Sequence, residues 1–293
     1  MTEPKPEVTQ EMIKLYDEYT HLTLDRRGFM DKLAKLTGSA AAAAAIVPLV
    51  SASAAKAAIV APDDARIETQ TITYPGESGD VEAYLALPAD RSGPLPAVIV
   101  IHENRGLNPH IMDVTRRIAL EGFVALGVDF LSPAGGTPED EDRAREMIGE
   151  LDRETTIANA VAAVAFLADH EATNGNVGAV GFCWGGGMVN QLAIASPDLA
   201  AGVVYYGSSP DAEQVSQIEA RMLLHYAELD ERINAGVPNF QEALQAAEVE
   251  YTLHMYEGVN HAFNNDTAQA RYDAAAANVA FERTIAFFRE TLD

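Results

Sequence analysis

The sequence has a single cysteine among 293 residues, and no lysine follows Lys56. One cysteine cannot form an intramolecular disulfide or a multi-cysteine zinc site, so a disulfide-stapled mini-protein and a zinc-ribbon type of domain are excluded. Hydrophobic residues make up 48%, charged residues 22% and aromatic residues 7% of the chain. That composition is typical of a soluble protein with one large core.

Positive charge is scarce after the first 57 residues. Residues 1–57 hold seven acidic and seven basic side chains, whereas residues 58–293 hold 37 acidic side chains and 13 arginines and carry the whole net charge of -24. An acidic surface repels the phosphates of nucleic acids and of anionic lipids. We therefore expect no nucleic-acid partner.

The N-terminal region has the order of an export signal. The pair Arg26-Arg27, followed by Phe29, precedes a weakly apolar, alanine-rich run over 33–50, and small-x-small cleavage candidates follow at 52–57. This order resembles a twin-arginine signal peptide. The alternatives are a membrane span or a core helix, but the run contains Pro48 and few leucines and isoleucines, so it is a weak membrane span. We predict that residues 1–57 are a leader without a catalytic role, that the twin-arginine machinery exports the protein to the periplasm or beyond, and that no stable membrane span remains.

Residues 58–293 are predicted to form one α/β domain. Alternating segments at 67–74 and 81–87 predict an antiparallel pair of strands, and the β-branched run at 96–101 predicts a strand buried on both faces. Strand and helix patterns then alternate to a closing helix over 268–292. The alternation predicts a mostly parallel central sheet with helices on both faces. The remaining predicted strands are 123–128, 177–181, 201–206, 222–226 and 250–256, and the remaining predicted helices are 111–121, 139–150, 153–170, 185–195 and 236–247.

The segment Gly181-Phe182-Cys183-Trp184-Gly185 lies between a predicted strand and a predicted helix. A nucleophile between two glycines at such a turn is the nucleophile elbow of α/β-hydrolases, here with cysteine instead of serine. The glycines avoid clashes at the sharp turn, and the helix N-terminus lowers the pKa of a thiol. The alternative is a glycine-rich turn with a structural cysteine.

The acid and the base of a catalytic triad are predicted by their order along the chain. α/β-Hydrolases place an acid after the nucleophile and a histidine last. Asp230 follows the predicted strand 222–226, and His261 lies in the loop before the closing helix. We predict that His261 is the base and that Asp230 orients it. Glu228 and Glu231 are the rival acids.

An oxyanion hole is predicted from backbone N–H groups. One donor is expected at Trp184, the residue after Cys183, and the other at Asn104, in the loop after the strand 96–101.

Three segments together resemble the dienelactone hydrolase family. The elbow resembles the family's G-x-C-x-G-G motif, 102–107 matches its His-Glu-x-x-Gly-Leu loop, and Asp230 and 258–263 match its acid and histidine segments. The similarity covers the chain from about Ile67 to its end. It implies an α/β-hydrolase fold, an acyl-thioester intermediate, a small ester or lactone as substrate, and no cofactor.

The resemblance also implies a role for Glu103. In the family the matching glutamate contacts the resting thiol and moves when substrate binds, whereas the alternative is that Glu103 only organises its loop. Burial and this carboxylate are expected to make the resting thiol hard to ionise. No metal site is expected, because His102, Glu103 and His110 do not form an H-E-x-x-H motif.

The sequence departs from the family where arginines hold the substrate carboxylate. The matching positions are Pro133 and Asn265. Arg105 is a candidate replacement cation for substrate binding, and its alternative is a solvated loop residue. The substrate therefore need not be a dienelactone. A general carboxylesterase or acyl-transferring enzyme, and a non-catalytic periplasmic binding relative, are the alternative functions.

Overall fold

The computed structural model describes residues 8–21, 24–51 and 58–293. The proposed cleavage segment at 52–57 lies outside the described residues. The helices are α1 Gln10–Thr20, α2 Arg26–Thr37, α3 Ala40–Val50, α4 Pro109–Leu120, α5 Glu141–Glu150, α6 Arg153–Ala168, α7 Trp184–Ala195, α8 Glu231–Asn234, α9 Val237–Ala246 and α10 Ala274–Leu292. The strands are β1 Ile67–Gly76, β2 Gly79–Pro88, β3 Leu95–Ile101, β4 Val124–Val128, β5 Thr173–Phe182, β6 Leu199–Tyr205, β7 Arg221–Ala227 and β8 Tyr251–Tyr256.

The eight strands form one sheet in the order β1-β2-β4-β3-β5-β6-β7-β8. Strand β2 runs antiparallel to both of its neighbours, and β3 to β8 are mutually parallel. The predicted antiparallel pair is the β1–β2 hairpin, with Ile67 opposite Pro88. The predicted α/β class and the mostly parallel sheet are confirmed.

Helices cover both faces of the sheet because the parallel strands are apolar on both sides. On one face α4 and α10 pack through residues such as Ile111, Val114 and Phe288. On the other face α6, α7 and α9 pack through residues such as Leu192 and Phe240. Parallel strands direct their carboxyl ends to one edge of the sheet, and the connecting loops meet there. That edge holds the predicted site residues.

The closing helix begins later than predicted. It starts at Ala274, and Asp273 caps it by accepting a hydrogen bond from the backbone N–H of Ala276 at 2.8 Å. Residues 268–272 form turns instead, with the Ala268 N–H bonded to the carbonyl of Asn265 at 3.0 Å. Their alanine-rich composition favours a helix, but in the structure these residues belong to the loop that connects His261 to α10.

The N-terminal segment, described over 8–21 and 24–51, has a small core of its own. Its three helices pack around Tyr16, Phe29, Leu33 and Ile46. Among the described residues no single helix is long and apolar enough to cross a membrane; α2 and α3 together meet the criteria of length and composition, but they are bent by 109° at the break between them.

Polar contacts attach the N-terminal segment to the catalytic domain. Arg26 pairs with Asp142 at 2.7 Å, and the Tyr19 hydroxyl donates to the same carboxylate at 2.6 Å. Asn104 Nδ2 donates to the carbonyl of Thr20 at 2.6 Å. These contacts place the C-terminal end of α1 at the edge of the sheet where the loops after the parallel strands meet. No pattern in the sequence predicts this arrangement.

Candidate active site

Cys183 stands on a strained turn between β5 and α7. Its φ of 56° and ψ of -114° lie in a region that non-glycine residues rarely adopt. A Cβ at Gly181 would collide with the backbone of Gly185, and one at Gly185 would collide with the carbonyl of Ile101. Only glycine fits at either side of the cysteine, so the predicted elbow has a steric cause in this fold.

The elbow is anchored by the neighbouring strand. The backbone N–H of Cys183 donates to the carbonyl of Tyr205 at the end of β6, at 3.0 Å. Cys183 is 8% exposed, which leaves a narrow approach to its thiol. The backbone is thus held so that Sγ projects at the loop edge of the sheet.

Asp230 and His261 are buried together beside the elbow. Asp230 follows β7 and caps α8, where its Oδ1 accepts a hydrogen bond from the Ile233 N–H at 3.2 Å. Its Oδ2 lies 2.5 Å from Nδ1 of His261. Nε2 of His261 is buried without a hydrogen-bond partner among the described residues, and one ligand-type atom of His261 lies within 4.8 Å of Cys183 Sγ. The structure therefore brings together Cys183, His261 and Asp230 in the predicted order.

The two rival acids have other contacts. Glu228 accepts a hydrogen bond from the Gly258 N–H at 2.8 Å, and so supports the loop that carries His261. Glu231 points to solvent and pairs with Lys14 at 2.7 Å. Neither carboxylate is bonded to the His261 ring, which favours Asp230 as the acid.

His21 of the N-terminal segment also reaches the thiol. Its Nε2 lies 3.4 Å from Cys183 Sγ, and its ring is perpendicular to that of His261 at a centroid distance of 5.0 Å. Its Nδ1 is bonded to the carbonyl of Asp17 at 2.7 Å. A segment that was predicted to have no catalytic role thus contributes a side chain at 3.4 Å from the candidate nucleophile.

The two imidazoles change the ionisation of the thiol. Burial raises the pKa of Cys183, but the charges and hydrogen bonds of His261 and His21 outweigh burial and lower the pKa to about 6. Burial lowers the pKa of His261, and the nearby charges of Asp230 and Cys183 overcome it and raise the pKa well above its usual value. The expectation of a thiol that is hard to ionise is therefore wrong, because a thiolate–imidazolium pair is favoured.

Glu103 lies in the loop after β3 and is held by Asn265. Its Oε2 accepts a hydrogen bond from Asn265 Nδ2 at 2.7 Å, and its Oε1 is buried without a hydrogen-bond partner among the described residues. Asn265 occupies one of the two positions at which the family arginine is missing, and its side chain instead donates a hydrogen bond to Glu103. The neighbouring His102 ring stacks on Trp184 at 5.1 Å and orders the turn.

Arg105 is buried in contacts of its own. Its guanidinium bonds to Glu141 at 3.2 Å and to the Tyr16 hydroxyl at 3.3 Å, so it is not the solvated loop residue of the alternative reading. Arg105 lines a small cavity of about 20 Å³ beside the thiol, whereas Arg145 and Arg232 border a larger cavity of about 370 Å³ at the thiol. Arg105 as the substrate cation remains a prediction.

A cavity of about 370 Å³ opens at the thiol. Asn104, Cys183 and Trp184 line it together, so the two predicted oxyanion donors border the same space as the thiol. Thr20 and His21 form part of its wall. Sequence patterns did not indicate His21, Arg145 or Arg232, because each reaches this cavity only through the packing of α1, α5 or α8.

Comparison with known proteins places the chain in a family. The sequence model of the dienelactone hydrolase family matches residues 81–292. The chain belongs to the dienelactone hydrolase family. Membership supports hydrolysis of esters or lactones, because relatives of this group bear the names of such enzymes. A second model, described as YqhI-like, matches residues 3–40, most of the N-terminal segment.

Similar proteins agree with this assignment. A protein of Escherichia coli O157:H7 named "Putative carboxymethylenebutenolidase" is 31% identical over 244 residues, covering 78% of this chain and 89% of its own. The crystal structure of a "Putative Dienelactone Hydrolase" from Klebsiella pneumoniae superposes with a TM-score of 0.70 at 27% identity, covering 76% of this chain and 98% of its own. A thermostable esterase from Pseudomonas putida shares the fold, with a TM-score of 0.65 at 17% identity over 99% of both chains.

Proposed function

We propose that the chain hydrolyses a small ester or lactone by nucleophilic catalysis at Cys183. The observation that carries the proposal is the cysteine at φ 56°, whose thiol shares a buried site with an imidazole bonded to a carboxylate. A structural cysteine has no need of this strained backbone, and a binding protein has no need of the buried histidine and acid.

The first half of the reaction forms an acyl-thioester. The thiolate of Cys183 attacks the carbonyl carbon, and the carbonyl π electrons move to oxygen. The N–H groups of Trp184 and Asn104 stabilise the resulting oxyanion. When the tetrahedral intermediate collapses, the C–O bond breaks and the imidazolium of His261 gives its proton to the leaving alkoxide.

The second half releases the acid. Neutral His261 removes a proton from water, the hydroxide attacks the thioester, and the thiolate leaves as the imidazolium re-forms. Asp230, at 2.5 Å from Nδ1, keeps the ring in the required orientation and stabilises its charged form. With a lactone the alcohol freed in the first half remains part of the acyl group, so this step releases a single hydroxy acid.

The proposal is tested by trapping the intermediate. We expect turnover of p-nitrophenyl esters and simple lactones by the full chain. After acid quench, mass spectrometry is expected to show an acyl adduct on the peptide that contains Cys183. An adduct on any other residue, or turnover without an adduct under single-turnover conditions, would contradict the thioester mechanism.

The role of Glu103 is tested by removing its charge. In the Glu103→Gln variant we expect the pH midpoint of Cys183 alkylation by iodoacetamide to move about one pH unit below the wild-type value, since a like charge that opposes the thiolate is lost. Ester turnover is expected to fall several-fold, since a less basic thiolate is a weaker nucleophile. Glu68→Gln, which removes an exposed carboxylate that pairs with Arg91, is the control and should keep the wild-type midpoint and turnover. Unchanged midpoint and turnover would mean that Glu103 only orders its loop.

We further propose that the chain is exported by the twin-arginine machinery. The support is the Arg26-Arg27 pair, which begins α2 behind the capping residue Asp25, and the alanine-rich α3 that follows. In the variant with both arginines changed to lysine, we expect the precursor to stay in the cytoplasm. Cell fractionation with immunoblotting measures this, and the variant with Lys32 and Lys35 changed to arginine is the matched control.

The exported protein is expected to begin between Ala55 and Ala58, which N-terminal sequencing measures. An exported protein that begins at Met1 would contradict the proposal.

A further inference from the structure

Two imidazoles and a thiol meet at the elbow. One ligand-type atom of each of His21, Cys183 and His261 lies within 4.8 Å of the other two, and Nε2 of His21 is 3.4 Å from Sγ of Cys183. A tetrahedral zinc ion, with bonds of about 2.3 Å to sulfur and about 2.0 Å to nitrogen, holds such neighbouring ligands about 3.5 Å apart. The separation between His21 and Cys183 matches this value, and the other two pairs, at most 4.8 Å apart, need only a small approach to hold an ion.

The second nitrogen of each imidazole is already engaged. Nδ1 of His261 lies 2.5 Å from the Asp230 carboxylate, and Nδ1 of His21 lies 2.7 Å from the carbonyl of Asp17. Zinc-binding histidines show this arrangement, because the outer acceptor fixes the ring and makes the facing nitrogen a better ligand. Both rings thus present Nε2 to the thiol, and that of His261 is buried.

A small cavity supplies the place for an ion. It measures about 20 Å³, and His21, Glu103, Cys183 and His261 all line it. That volume suits a single atom-sized occupant. Glu103 Oε1 is buried and lacks a hydrogen-bond partner among the described residues, so it is available as a further ligand. Arg105 and Arg271 also line the cavity, and the negative charges of Glu103 and of the thiolate offset theirs.

We propose that in the full-length chain, before any removal of residues 1–57, a thiophilic divalent cation of the Zn²⁺ type binds in this cavity, with His21, Cys183 and His261 as ligands and Glu103 as the fourth. Thiolate and imidazole ligands select such an ion over Mg²⁺ or Ca²⁺, which prefer oxygen. The ion takes the place of the imidazolium proton, which leaves to solvent. The ion binds both the nucleophile Cys183 and the base His261, so the ion-bound form does not hydrolyse esters. Through His21, the ion also links α1 to the elbow.

Arg232 opposes the ion. Its Nη2 donates to Nε2 of His21 at 2.7 Å, on the lone pair that the ion requires. The Arg232 side chain is 39% exposed, so it can turn to solvent when the ion binds. Removing this side chain should therefore tighten ion binding, whereas removing His21 should weaken it. Opposite effects of the two variants on ion affinity would distinguish ligation by His21 from a general change of charge or fold.

The experiment titrates the chelator-stripped full chain with Co²⁺ and follows absorption. We expect the strong d–d bands of tetrahedral cobalt and a thiolate-to-cobalt charge-transfer band, with Zn²⁺ displacing both. His21→Ala and His21→Gln are each expected to weaken binding at least about tenfold, since loss of even an outer-shell partner costs about that much. Arg232→Ala is expected to tighten it several-fold, Cys183→Ser to lose the charge-transfer band, and the control His170→Ala, at the opposite edge of the sheet, to bind as wild type.

Two results would overturn the site: a weak octahedral spectrum in the wild type, or unchanged affinity in both His21 variants. Because the readout is spectroscopic, it does not depend on hydrolysis. A chain that binds Co²⁺ as described but hydrolyses no ester in its chelator-stripped form would contradict the proposed function alone. A hydrolase that fails the titration would contradict the ion site alone.

Discussion

Cys183→Ala is expected to lower kcat/KM for ester hydrolysis by at least about four orders of magnitude, because the variant has no group that can form the acyl-thioester. Steady-state turnover of a p-nitrophenyl ester measures the loss. The alanine side chain fits where the thiol was, so circular dichroism and thermal unfolding should remain those of the wild type. The residual rate comes from the oxyanion donors and substrate binding alone.

Two further variants sharpen this prediction. Cys183→Ser keeps the shape but has a far less acidic nucleophile, so we expect it to be nearly as inactive in a site where the pKa of the thiol is held at about 6. Ser196→Ala removes an equally small, buried side chain from the opposite end of α7 and should hydrolyse as the wild type does. Substantial turnover by Cys183→Ala would exclude the cysteine as nucleophile.

Asp230→Asn is expected to reduce kcat by about three to four orders of magnitude, since an amide cannot stabilise the imidazolium and favours the wrong orientation of the ring. Stability should change little, because asparagine caps a helix as well as aspartate does and can keep the bond to the Ile233 N–H. The loss should appear in kcat rather than in KM, because Asp230 contacts His261 and does not line the cavity at the thiol.

The rival acids are the matched controls for Asp230. Glu231→Gln removes an exposed charge that pairs with Lys14, so we expect activity within a few-fold of wild type. Glu228→Gln weakens the bond to the Gly258 N–H and should have a modest effect through the His261 loop. If either glutamine variant lost activity to the extent expected for Asp230→Asn, while the latter stayed active, the acid would have been misassigned.

Local chemistry made the elbow predictable. A nucleophile between Gly181 and Gly185 requires a strand before it and a helix after it, and the structure shows β5 and α7 on either side. Likewise Asp230 and His261 follow strand patterns, and parallel strands bring their loops to one edge of the sheet. Each of these features depends on a short segment of the chain, so each can be predicted from the sequence.

The sequence by itself determined the α/β class, the family, the elbow and the order of Cys183, Asp230 and His261, because periodicity, glycine sterics and strand ends are local. Only the tertiary structure decided what surrounds the thiol. The approach of His21 to Cys183 and the hydrogen bond from Asn265 to Glu103 each join residues 162 positions apart. The lowered pKa of Cys183 likewise depends on His261 and His21, which are both distant from it along the chain. No local sequence pattern encodes such contacts, because they form only where α1 and the loops pack together against the sheet.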